Sequence, residues 1–133
     1  MKQDVHGESK AKMYTKADNN AGAVDLARKC LMAKERHLEP LLVYQFDDDG
    51  AAHDDELQER LKAEFESEWK QATGEVSREF GQASIAIADD ETRYVPLNGV
   101  GGASSWQIGA RRLFVAYAHE DRETPYLLVV GTI

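Results

Sequence analysis

A chain of 133 residues with 42% hydrophobic content can bury one core and is too short for two ordinary domains. Its 24 acidic against 16 basic side chains leave a formal charge of -8, which argues against a surface built to neutralise nucleic-acid phosphates or anionic lipid and leaves a basic partner or a cation as the electrostatic match. The single cysteine permits no internal disulfide, the first twenty residues lack the apolar stretch of a secretory signal, and no run approaches the ~20 apolar residues that span a bilayer, so a cytoplasmic protein is expected, with neither nucleic acid nor membrane as partner.

Residues 1–20 read as a polar arm with only Val5, Met13 and Tyr14 to bury, and residues 21–133 as one domain. From Ala21 to His37 the positions Val24, Ala27, Cys30 and Leu31 recur at helical spacing, with Asp18, Asn19 or Asn20 available as a cap. Pro40 cannot continue that helix, and the unbroken run Leu41 to Phe46 has the length of a buried strand. Asp48, Asp49 and Gly50 then suit a turn, and Asp54 or Asp55 suits the cap of the next helix. In that helix Leu57, Leu61, Phe65 and Trp69 repeat every four residues on an otherwise charged cylinder, and Gly74 is expected to end it. The segment Glu75 to Gln82 is ambiguous.

Strand signals follow at Ile85–Ile87, which runs into Asp89–Asp90, and at Arg93 to Leu97. The stretch NGVGGASSW reads as a glycine-rich loop before two long strands, Ser105–Ala118 and Tyr126–Ile133, joined by the charged loop HEDRETP. Leu113, Val115 and Tyr117 on one face of the last ribbon stand against Phe114, Ala116 and Ala118 on the other, so neither face wants water. One helix layer covers one face. The other therefore calls for the first helix, a second copy of the chain or a ligand cavity.

Candidate binding residues cluster in this half. Trp106 beside a mobile glycine loop can line a pocket mouth, Arg111 and Arg112 after Gly109 can grip an anion, and Tyr117 and His119 lie on the ribbon and in its loop. His119, Glu120, Asp121 and Glu123 share that loop without any paired zinc-ligand spacing, so no zinc site is expected.

The junction LLVYQF-Asp47-Asp48-Asp49-Gly50 has a further aspect. A strand followed by Asp-x-Asp-Gly resembles the opening of the haloacid-dehalogenase-like phosphatases. That resemblance implies Asp47 as nucleophile, Asp49 as acid and base, Mg²⁺ held with the help of Asp89, Asp90 and Glu91, and Lys70 against the phosphate. It also implies a parallel sheet of alternating strands and helices, whereas everything after Gln82 reads as antiparallel hairpins. The acidic junction is accordingly assigned to a turn and a helix cap, with no catalytic residue, metal or cofactor.

Together these features predict an α+β fold: an N-terminal helix, one strand, a long amphipathic helix and an antiparallel sheet of about four strands packed on the helices. The expected function is a small acidic binding or interaction module, homodimeric, whose partner meets the sheet face or the Gly99 to Trp106 loop. Its alternatives are a pocket protein for a small apolar ligand and a Mg²⁺-dependent phosphotransfer enzyme using Asp47 and Asp49.

Overall fold

The computed structural model of the chain describes residues 15–16, 22–46, 49–87 and 90–133. In chain order its elements are strand β1 (Thr15–Lys16), helix α1 (Ala23–Met32), strand β2 (His37–Tyr44), the single-turn helix α2 (Asp49–Ala52), helix α3 (Asp55–Phe80), strand β3 (Ser84–Ile87) and strands β4 (Val100–Ile108), β5 (Arg111–Ala118) and β6 (Tyr126–Thr132). The architecture is α+β, with helices packed on an antiparallel sheet. Its six described strands run in the order β1-β2-β6-β5-β4-β3, against the expected four: β2 joins the same sheet beside β6, part of the polar arm adds β1 beside Leu42 and Val43, and the single strand expected over Ser105–Ala118 is instead β4 and β5, which turn at Gly109, whose φ of 62° suits glycine.

Helix α3 starts as its sequence suggests. The Asp54 carboxylate accepts the Leu57 N–H at 3.1 Å, and Asp55 and Glu56 meet the positive end of the helix dipole. It does not stop at Gly74. One interior glycine costs about 1 kcal/mol, and the ambiguous segment after it supplies a fully buried Val76 and a partly buried Phe80 that offset this. The apolar stripe thus continues as Leu61, Phe65, Trp69, Ala72 and Val76, and the helix ends at Gly81, whose φ of 99° suits glycine.

Helix α1 buries Ala23, Leu26, Ala27 and Cys30 and ends at Met32, short of the expected His37, because the chain turns extended at Ala33. The strand that follows begins at His37 instead of Leu41 and runs through Pro40. A register shift against β6 between Pro40 and Leu42 accommodates a residue that has no N–H to donate. Helices α1 and α3 share one face of the sheet, where their stripes meet Leu42, Leu113, Val115, Leu128 and Val130. Cys30 is part of this core, and burial pushes its thiol pKa up to about 11, which makes it an inert packing group.

Two loop and strand expectations exchange places. NGVGGASSW is largely strand β4, and its glycines provide room where flexibility was expected: a Cβ on Gly101 would lie 2.5 Å from the Tyr117 ring, and one on Gly102 2.8 Å from the Trp69 ring. Arg93 to Leu97 is not a strand. After the 3-10 turn Asp90–Thr92 it crosses the sheet face opposite the helices, with Val95 N–H bonded to Thr92 at 3.1 Å and Leu97 N–H to Val95 at 2.8 Å. There Tyr94, Val95 and Leu97 pack on Phe114, Ala116 and Val129. The second greasy face is therefore covered, over these residues, by the chain's own segment, which supplies the layer for which a second copy or a cavity was expected.

Candidate partner-binding surface

The five residues singled out for binding do not form one site. Trp106 is 3% exposed on the helix side and donates its indole N–H to the Gly81 carbonyl at 2.7 Å, closing the end of α3 instead of lining a pocket mouth. Tyr117 packs under Trp69, ring centroids 5.4 Å apart, in the space the two glycines leave. Arg111 turns inward to the last turn of α1: it donates to the carbonyls of Cys30, Leu31, Ala33 and Glu35 and, at 2.7 Å, to the Thr132 hydroxyl. Its donors are spent on the fold. Arg112 lies on the opposite face with its guanidinium 4.4 Å from the centre of the Tyr94 ring, pinning the covering segment to the sheet by a cation–π contact.

His119 stacks on Tyr126 at 3.7 Å and 11°, with Phe46 also close, and its Nε2 is buried without a hydrogen-bond partner among the described residues. Burial lowers its pKa, so the folded state holds the ring neutral while the unfolded chain takes up a proton near 6.5. Stability from this ring is thus complete above that value and is lost as pH falls through it toward the lower folded pKa. The melting temperature of the wild-type chain is expected to fall between about pH 7.5 and about pH 5.5 by more than that of His119→Phe, which keeps the stack without the proton. Equal falls in thermal scans of the two proteins would show that the ring accepts the proton without cost.

The acidic candidates do not assemble into chemistry either. Asp47 and Asp89 lie outside the described residues, as do the side chains of Asp49 and Asp90. Among the described residues no group of three or more His, Cys, Asp or Glu side chains could hold a metal ion, and no helix is long and apolar enough to cross a membrane. Lys70 is exposed on α3, and every pairing among the described strands is antiparallel, with β2 beside β6. The parallel α/β fold that the similarity to haloacid-dehalogenase-like phosphatases implies is not the fold of this chain. In the β5–β6 loop, Asp121 accepts the Glu123 N–H at 3.0 Å and its own N–H binds Thr124, so its carboxylate shapes the turn.

What the fold does leave open is part of the face opposite the helices. Residues 92–100 lie over Phe114, Ala116 and Val129, whereas Leu38, Pro40 and Val43 of β2 and Leu127 of β6 keep contact with solvent, Leu38 being 38% exposed. Register places these side chains together, Pro40 opposite Val129 and Val43 opposite Leu127. They adjoin an open cleft of about 290 Å³ between Pro96–Leu97 and Pro125–Leu127, which Asn98, Glu120 and Thr124 also line. The cleft wall is fastened from behind: Tyr126 donates its hydroxyl to Gln58, whose amide nitrogen donates to the carbonyls of Ala52 at 2.7 Å and Arg122 at 3.0 Å. Leu38 and Pro40 lie between the helix expected to end at His37 and the strand expected to begin at Leu41, and the alternation of His37 and Glu39 with Leu38 and Pro40 is the sign of a strand there. No family model, no curated protein and no solved structure matches this chain.

Proposed function

We propose that this chain is a small acidic cytosolic binding module without catalytic chemistry, acting as a homodimer, whose partner protein docks on the β2–β6 side of the sheet face opposite the helices. The single observation that carries this is the continuous apolar strip of Leu38, Pro40, Val43 and Leu127 left in contact with water beside the Pro96–Pro125 cleft. Apolar side chains gathered on one surface and held on paired strands suit a partner's side chains. The formal charge of -8 favours a partner whose rim is basic, because opposite potentials raise the rate of encounter. The cleft between Pro96 and Pro125 is open to solvent, and Trp106 is buried against the end of α3, which favours a docking surface over an enclosed small-ligand pocket.

An anilinonaphthalene sulfonate dye is expected to brighten on the wild-type chain and to lose most of that signal in Leu38→Lys/Leu127→Lys, with the melting temperature lowered by only several degrees because both side chains already touch water. Failure of the dye to bind the wild type would remove the docking surface.

A further inference from the structure

Strand β3 ends the sheet, so one row of its backbone N–H and C=O groups points away from β4 with no described strand beside it. Natural edge strands usually carry a device against adding another strand, such as a lysine, a proline, a bulge or an inward charge. Ser84-Ile85-Ala86-Ile87 has none of these: it holds no charge and no proline, and its four pairs with β4 run without a register shift. Its side chains invite a neighbour as well. Ile85 and Ile87 are 54% and 52% exposed, the most exposed large hydrophobic side chains in any described strand. They project on the helix side, opposite Ser104 and Gly102 of β4. Gly102 has no side chain to cover Ile87, and the Ser104 hydroxyl is held at 2.7 Å by Thr73.

We propose that β3 is the seam of the homodimer: two copies pair β3 with β3, antiparallel about a two-fold axis, and join their sheets into one. This assignment rests on the dimeric reading above and names the surface it uses. A second copy fits the edge better than a foreign strand for two reasons. An antiparallel strand paired with itself is isologous, so the contact closes after two chains and propagates no further. Centred on Ala86, the pairing sets Ile85 of each copy opposite Ile87 of the other, forming two aliphatic cross-strand pairs on the helix side. Two chains of -8 repel at long range, but the four-residue stretch where they would meet carries no charge, so no like charges stand opposed across the seam itself. The contact is only four residues long, whereas stable interfaces typically bury at least ~1,200 Å², so association in the micromolar range is expected.

Sedimentation velocity from about 1 to about 500 µM tests the seam on the full chain. Wild type is expected to shift from monomer to dimer across this range, and Ile85→Lys/Ile87→Lys to associate at least about tenfold more weakly while keeping its melting curve, because both side chains are already exposed. Amide hydrogen exchange gives a readout without variants: amides of residues 84–87 are expected to be better protected in concentrated than in dilute wild type. A dimer that survives the two lysines but dissociates in Leu38→Lys/Leu127→Lys would keep the dimeric reading and overturn the seam. A wild type that stays monomeric throughout would overturn both, and if another protein's extended chain then bound in an Ile85- and Ile87-dependent way, the edge would belong to a foreign partner.

Discussion

Phe114→Ala is expected to destabilise the chain by about 3–5 kcal/mol, the range for emptying a buried phenylalanine site. Phe114 is fully buried on the face that carries no helix, edge-on to Tyr94 at 6.0 Å between centroids, and it extends over Gly131, where a Cβ would stand 2.6 Å from its Cζ. Among the described residues, the nine-residue segment Thr92 to Val100 is its main cover. The size of the loss therefore reports whether Thr92 to Val100 acts as a true second core layer or as a loosely laid loop. On the same face Leu127→Ala should cost no more than about 1–2 kcal/mol, because that side chain still meets water. Urea unfolding of both variants decides the matter. Similar small losses would mean that Phe114 is already wet in solution and that the whole face, not its β2–β6 side alone, is open for docking.

The parts of this fold that sequence alone revealed are those where one local pattern has one physical meaning. The four-residue repeat of Leu61, Phe65 and Trp69 can only be the stripe of a helix lying on something apolar, and Asp54 before a run of glutamates is a cap whichever fold follows. Glycine was the main source of error, because its two uses look alike in a sequence. Gly74 reads as a stop but sits in a helix whose far end is held by Val76, and Gly101–Gly102 read as a loop but make space for Tyr117 and Trp69. Only the tertiary partner distinguishes freedom from room. The same limit applied to the two-faced ribbon. Its apolar alternation was visible, yet the covering segment Tyr94-Val95-Pro96-Leu97 carries the composition of a strand and gives no sign that it lies across the sheet instead of within it.

The candidate site was less legible, and for a related reason. Arginine, tryptophan and histidine are the residue types that bind ligands, and they are also the types that close gaps in a fold, so identity without position cannot separate the two uses. Trp106 and Arg111 proved to be closures of helix ends, and Arg112 and Tyr117 pack against aromatic rings. The surfaces proposed for partners consist of ordinary aliphatic residues, Leu38, Leu127, Ile85 and Ile87, whose meaning lies in their being uncovered. Exposure is a property of the whole packing and has no sequence signature of its own.

Arg111 offers the sharpest test of that distinction. Its Nη1 donates to the carbonyls of Cys30, Leu31 and Ala33, and its Nη2 to Glu35 and to the Thr132 hydroxyl, so one guanidinium from β5 satisfies carbonyls at and just beyond the C-terminal end of α1 and ties that helix to β6. The charge also sits at the negative pole of the helix dipole. Arg111→Met keeps much of the aliphatic stem but removes every donor, so the carbonyls of Leu31, Ala33 and Glu35 lose this guanidinium while that of Cys30 keeps the Ala33 N–H and the Thr132 hydroxyl. A loss of about 3 kcal/mol is expected, more than a single neutral hydrogen bond contributes because several charge-assisted ones go together. Arg111→Lys should recover only a minor part of it, since an ammonium is a point charge that cannot span the same set of acceptors. Denaturant unfolding measures both losses, and dye binding under native conditions gives the second readout: if Arg111 serves the fold, the folded fraction of Arg111→Met binds the dye like wild type. An Arg111→Met chain of unchanged stability but altered binding would return this residue to the binding surface, because a guanidinium that contributes nothing to α1 is free to meet a partner.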